Sequence, residues 1–87
     1  MKNLEFSTRA EEDIAHWARK DKKKAEKIMR LIEETLRTPT AGTGKPEPLK
    51  YTLSGCWSRR IDREHRLVYT MEKDTLVILA CRYHYKD

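Results

Sequence analysis

Thirteen residues in mid-chain, "TPTAGTGKPEPLK", hold all three prolines and two of the three glycines. Proline lacks a backbone N–H and pushes the residue before it out of helical geometry, so no helix or central strand can run through this stretch. The chain must therefore fold as two halves joined by a long loop. The apolar period differs between those halves.

Before the loop, Leu4 and Phe6 alternate with Asn3 and Glu5, which predicts a short strand over about Asn3 to Phe6. "STRAEEDIAHWARK" then switches to helical spacing, with Ala10, Ile14, Trp17 and Ala18 on one face and Thr8 and Glu11 spaced as a capping box. Asp21 predicts the N-cap of a second helix, whose apolar stripe is Ala25, Ile28, Met29, Ile32 and Leu36. It should stop near Thr38, ahead of Pro39. The opposite face carries Lys22, Lys23, Lys24, Lys27 and Arg30. That face suits either simple solvation or contact with nucleic acid.

After the loop, "CWSRRID", "HRLVYTM" and "TLVILACRYHY" read as strands parted by charged turns at about Asp62 to Glu64 and Glu72 to Asp74. They predict two hairpins in series. A strand, two helices and antiparallel strands make an α+β fold, with the helix pair over one sheet face and the other face open.

Length and charge narrow the function. A chain of 87 residues implies one domain over 1–87 with a modest core, which speaks against a large-ligand pocket. Charged residues equal hydrophobic ones at 38% each, and the net charge of +5 favours phosphate or an acidic protein as partner. No apolar run has signal-peptide length or approaches the roughly 18 residues that cross a bilayer, so a cytoplasmic protein without a membrane partner is expected. Cys56 and Cys81 sit in apolar-rich segments and read as small buried side chains, with a disulfide or a reactive thiol as the alternative.

Three side chains stand out chemically. His16, His65 and His84 fall in different elements with no metal-ligand spacing, and "GTGKPEP" lacks the spacing of a phosphate-binding loop, so neither metal nor cofactor is expected. Glu47, between Pro46 and Pro48, is a carboxylate on a stiff piece of loop, suited to a fixed general base or to a solubilising role. Arg66 belongs to a cluster with Arg59, Arg60 and Arg63, and its planar fork of donors suits a phosphate. His84, flanked by Tyr83 and Tyr85, can exchange a proton near neutrality.

Together they form a set for cleaving RNA at its own 2'-hydroxyl. A base removes that proton, a cation stabilises the phosphorane, and an acid protonates the departing 5'-oxygen. The set requires Arg66 and His84 to share a sheet face. A three-residue turn, Glu72 to Asp74, satisfies this by pairing Met71 with Thr75 and setting Arg66 opposite Ala80; a two-residue turn would separate them unless a bulge intervened. With the strand ending late, Tyr83 and Tyr85 would face away from His84, one in the core and one free to stack on a base.

"GTGKPEPLKYTLSGCWSRRI" and "EHRLVYTMEKDTLVILACRYHY" closely resemble the YoeB toxins of the wider RelE/ParE superfamily, with similarity from near Asp21 to Tyr85 that is strongest after Thr38. The resemblance implies a small RelE-like α+β fold and a bacterial toxin that enters the ribosomal A site and cuts the mRNA there. It also implies an acidic antitoxin of the YefM type and allows a homodimer. It places the base at Glu47, the phosphate-binding arginine at Arg66 and the acid at His84, with Lys50, Arg60 and Tyr85 holding the RNA. Two departures are visible: the chain continues past Tyr85 with Lys86 and Asp87, and Cys56 stands where an aromatic is expected. Two other classes remain open, a ParE-like toxin that inhibits a DNA topoisomerase without cleavage and a basic nucleic-acid-binding module without catalysis.

Overall fold

The computed structural model describes residues 1–83. The order of elements is β1 (Asn3–Phe6), α1 (Thr8–Lys20), α2 (Lys22–Arg37), β2 (Glu47–Pro48), a 3-10 turn (Tyr51–Leu53), β3 (Cys56–Arg60), β4 (Arg66–Glu72) and β5 (Thr75–Ala80). Among the described residues the strands form one sheet in the order β1-β5-β4-β3-β2. β1 runs parallel to β5 while the other pairs are antiparallel, so the sheet is mixed. His84 and Tyr85, two of the expected site residues, lie outside the described residues, as do Lys86 and Asp87.

Both helices lie where the apolar period put them, but their details shift. The N-cap of α1 is Ser7 and not Thr8: the Ser7 Oγ accepts the Ala10 N–H at 3.0 Å and donates to the Leu79 carbonyl at 2.8 Å, so the cap is fixed by contact with β5. α1 buries Ala10, Asp13 and Trp17, while Ala18 is exposed. α2 is capped by Asp21 as expected and ends at Arg37, with Thr38 as its C-cap. It buries Ile28, Leu31, Ile32 and Thr35 and leaves Met29 partly exposed. Ala10, Trp17, Ile28, Leu31 and Ile32 join Leu67, Tyr69, Leu76, Ile78 and Cys81 in one core on a single face of the sheet.

The last hairpin departs from the expected register. Its turn has two residues, Lys73 and Asp74, so Glu72 pairs with Thr75 and Met71 with Leu76. Lys73 adopts a positive φ of 53°, as tight hairpin turns require, and the Asp74 carbonyl accepts the N–H groups of Lys2 and Asn3 at 2.9 Å. A bulge then restores the even pairing: Tyr69 faces Ile78 but Val68 faces Ala80, leaving Leu79 as the extra residue. Ala80 therefore lies opposite Val68, not Arg66. Leu79's carbonyl takes the Ser7 hydroxyl, which satisfies a group that the bulge withdraws from the ladder.

Arg59 ties the mid-chain loop to this frame. Its guanidinium, fully buried, donates to Glu34 Oε2 at 2.9 Å, to the carbonyls of Thr38, Ala41 and Thr43, and to the Tyr69 hydroxyl at 3.3 Å. The loop passes close by with Gly42 at φ 111°, where a side chain would collide with the Glu34 carboxylate. Such bonding to three carbonyls of one loop is a structural task. It leaves the neighbours Arg60, Arg63 and Arg66 for chemistry.

Candidate active site on the helix-free sheet face

Register fixes which side chains meet. Glu47 pairs with Ser58, Ser58 with Val68, and Val68 with Ala80, so these four residues form one row across four strands. Directly opposed residues in antiparallel pairs share a face, and this row alternates with the core residues Leu67 and Tyr69. It thus lies on the face away from the helices. Ser58, Val68 and Ala80 are small and buried, forming a floor, whereas Glu47 stands exposed at the edge on β2.

That edge strand was legible only as stiff loop. Pro46 and Pro48 hold the backbone extended, and this is the geometry in which Glu47 can join the sheet while Pro48 costs little at an edge.

Two residues along β3, Arg60 pairs with Arg66 on the same face. Two strand spacings and two residues separate Glu47 from Arg66, about 12 Å between backbone positions. A carboxylate and a guanidinium reaching inward from that separation can contact one nucleotide between them. Arg66 is half-buried, and its Nη1 donates to the Asp62 carbonyl at 2.9 Å and the His65 carbonyl at 3.2 Å, which orients the fork. Arg60 is exposed.

Beyond this pair opens a cleft of about 520 Å³ lined by Lys27, Thr43, Gly44, Arg60, Ile61, Asp62, Arg63 and Arg66. Its carboxylate is already engaged: Asp62 forms an ion pair with Lys24 and accepts the N–H groups of Glu64 and His65 at 2.8 and 2.7 Å. Burial works against the Asp62 charge, but these donors outweigh it and bring the carboxyl down to about 2. The cleft is therefore strongly cationic. Lys27 enters it from the lysine face of α2, a contribution that helical spacing alone did not single out. Lys50 lies on the other side of Glu47, exposed at the start of the 3-10 turn.

Cys81 and Tyr83, beyond the end of β5, are tightly held. β5 ends at Ala80, so Tyr83 lies beyond the strand, and it is exposed and not in the core. The Arg66 N–H donates to the Tyr83 carbonyl at 3.0 Å, and the Tyr83 N–H donates to His65 Nδ1 at 2.7 Å. Trp17 Nε1 donates to the Cys81 carbonyl at 2.8 Å, while the Cys81 N–H donates to Asp13 Oδ2 at 3.0 Å. Burial, with the nearby Asp13 carboxylate, pushes the Cys81 thiol up to about 12, which makes it an inert core group. The half-buried Cys56 is on β3.

Among the described residues, no helix is long and apolar enough to cross a membrane. None of their His, Cys, Asp and Glu side chains form a group of three or more able to hold a metal.

The family model for the YoeB-like toxin of bacterial type II toxin-antitoxin systems matches residues 6–85, which extends the similarity into α1 and β1. Toxin YoeB of Escherichia coli K12 is 55% identical over 82 residues, covering 94% of this chain and 98% of that protein. The toxin in a YoeB-YefM complex from Staphylococcus aureus superposes with a TM-score of 0.88 at 43% identity, covering 98% and 99% of the two chains. A YoeB dimer from the same organism gives 0.87 at 45% identity, covering 95% and 97%.

Proposed function

The chain belongs to the family of YoeB-like toxins of bacterial type II toxin-antitoxin systems, and on that premise we propose that it is a ribosome-dependent endoribonuclease that cleaves translated mRNA in the A site. The observation that carries this reading is the placement of Glu47, Arg60 and Arg66 on one helix-free sheet face beside a cationic cleft. A carboxylate, paired guanidinium groups and an open groove suit a single RNA strand. No bound cofactor is needed for the reaction.

In this mechanism the Glu47 carboxylate removes the 2'-hydroxyl proton of the nucleotide before the scissile phosphate. The 2'-oxygen then bonds to phosphorus, and Arg66, with its fork set by the Asp62 and His65 carbonyls, stabilises the charge on the phosphorane. His84 gives its proton to the 5'-oxygen as that bond breaks. The products are a 2',3'-cyclic phosphate and a free 5'-hydroxyl. Lys50 and Arg60, on either side of Glu47, hold the strand together with Tyr85.

A site spread over an exposed sheet face gains from a partner that presents the RNA already oriented, which is the physical reason for ribosome dependence. The cytoplasm, where mRNA is translated, is the place of action, and 1–87 acts as one toxin domain. The relatives' complexes support an acidic YefM-like antitoxin as the neutralising partner of this basic surface, and a homodimer.

The test is primer extension on mRNA in a translation reaction with purified ribosomes, comparing the parent with Glu47→Ala and His84→Ala. New 5'-ends within the A-site codon that vanish in both variants support the reading. A folded parent that produces no cut sinks it and leaves a binding toxin of the ParE kind.

A further inference from the structure

We infer that His65 is a positioning residue, a latch that fixes the backbone at Tyr83, the residue that precedes His84 in sequence. The inference rests on the reading of His84 as the general acid.

The latch closes a segment that would otherwise be poorly held. β5 stops at Ala80, and the next residues have no neighbouring strand to continue the ladder except through Arg66. Tyr83 also takes a positive φ of 71°, a strained conformation for a bulky side chain. Surrounding bonds have to hold that geometry. On the Tyr83 peptide groups they are the His65 Nδ1 and the Arg66 N–H; two residues earlier they are Asp13 and Trp17 on Cys81. His65 itself is 8% exposed, wedged edge-on against the Trp17 ring with centroids 4.7 Å apart. A buried ring spends its one acceptor nitrogen on the peptide next to the proposed acid.

This use of Nδ1 has a chemical consequence. Neutral imidazole has one donor and one acceptor nitrogen, so accepting from Tyr83 leaves the proton on Nε2, which lies 3.5 Å from Glu64 Oε2. A protonated ring has no acceptor and would turn an N–H toward the Tyr83 N–H. Several groups face the ring and its peptide: Glu64, the Trp17 indole with Lys24 above it and His16 at its edge, Tyr83, Asp62 on the His65 N–H, and Arg66 on its carbonyl. The latch therefore depends on an acceptor atom at position 65.

Two substitutions separate this role from mere packing. In His65→Asn the amide oxygen can take the place of Nδ1, whereas His65→Leu fills space without an acceptor. In the ribosome cleavage assay the Leu variant should lose about tenfold or more in kcat with KM unchanged, and the Asn variant should stay within about threefold of the parent. Equal impairment of both variants, or a Leu variant with parental kcat, overturns the latch.

Hydrogen exchange at the Tyr83 amide supplies a readout independent of cleavage and of the Leu variant's folding. At fixed pH, His65→Asn should keep the parent's protection at Tyr83, whereas His65→Leu should lose it there while the β4 amides stay protected. Equal protection at Tyr83 in all three proteins overturns the latch. A parent that shows the exchange difference but cuts no mRNA defeats the nuclease reading and not the latch.

Discussion

Arg60 and Arg66 are direct partners across β3 and β4, so two guanidinium side chains rise from neighbouring positions on one sheet face. Like charges directly opposed weaken a sheet, typically by a few tenths of a kcal/mol to about 1 kcal/mol. Replacing Arg60 with Thr, a good strand former, should therefore raise the urea midpoint slightly while weakening RNA cleavage and flattening its salt dependence. A variant that is both less stable and equally active would show that the pair carries no functional strain. A non-cleavable RNA oligonucleotide should raise the parent's Tm more than that of Arg60→Thr, because the phosphate relieves the repulsion.

Glu47 sits at the sheet edge with its side chain exposed, so changing it should cost function and not stability. Glu47→Gln keeps size and polarity but cannot accept the 2'-hydroxyl proton. Cleavage should fall by about 10² to 10⁴, the range for loss of a general base, with an unfolding curve that overlays the parent's. Rates within about twofold of the parent would remove Glu47 from the mechanism.

The opposite pattern is expected one residue from Arg60. Arg59 is buried and bonded to Glu34, Tyr69 and three carbonyls of the mid-chain loop. Arg59→Ala leaves those carbonyls without their donor and should cost about 3 kcal/mol in urea unfolding. Arg59→Lys should recover little, since one ammonium cannot span the same acceptors. A loss below about 1 kcal/mol for Arg59→Ala would mean that water replaces the guanidinium at that site.

The helices and the three long strands were legible because their apolar periods and the proline-rich loop are local signals. Glu47, Lys50, Arg60 and Arg66 could likewise be singled out by residue type and by resemblance to a family. What the sequence could not give was how they meet. The Glu47–Ser58–Val68–Ala80 row depends on a two-residue edge strand and on the Leu79 bulge, whose freed carbonyl is taken by Ser7 at the start of α1. The roles within the arginine cluster were equally hidden, because Arg59 and Arg60 differ only in the face to which alternation assigns them. His65 gave no local sign of its partner, since the bond to Tyr83 joins residues eighteen apart in sequence.

Acid should loosen the loop that precedes Arg66. Asp62 is held down to about 2 against an ordinary value of 3.8, so the folded state binds this proton less readily than the unfolded chain does. For a depressed carboxyl the stabilisation is fully present above the unfolded value and is lost as pH falls through the folded one, here between about pH 4 and 2. Nearly a third of the side chain is exposed at 31%, so solvent screening limits the effect and the whole contribution should stay below about 1 kcal/mol. Asp62→Asn should accordingly remove part of the stability loss between those pH values while lowering stability modestly at neutral pH. Lys24→Met should also diminish the acid sensitivity, because the ammonium supplies the strongest of the interactions that lower Asp62. If neither variant changes the pH dependence of the urea midpoint, the Lys24–Asp62 pair does not anchor α2 to the loop that orients the Arg66 fork.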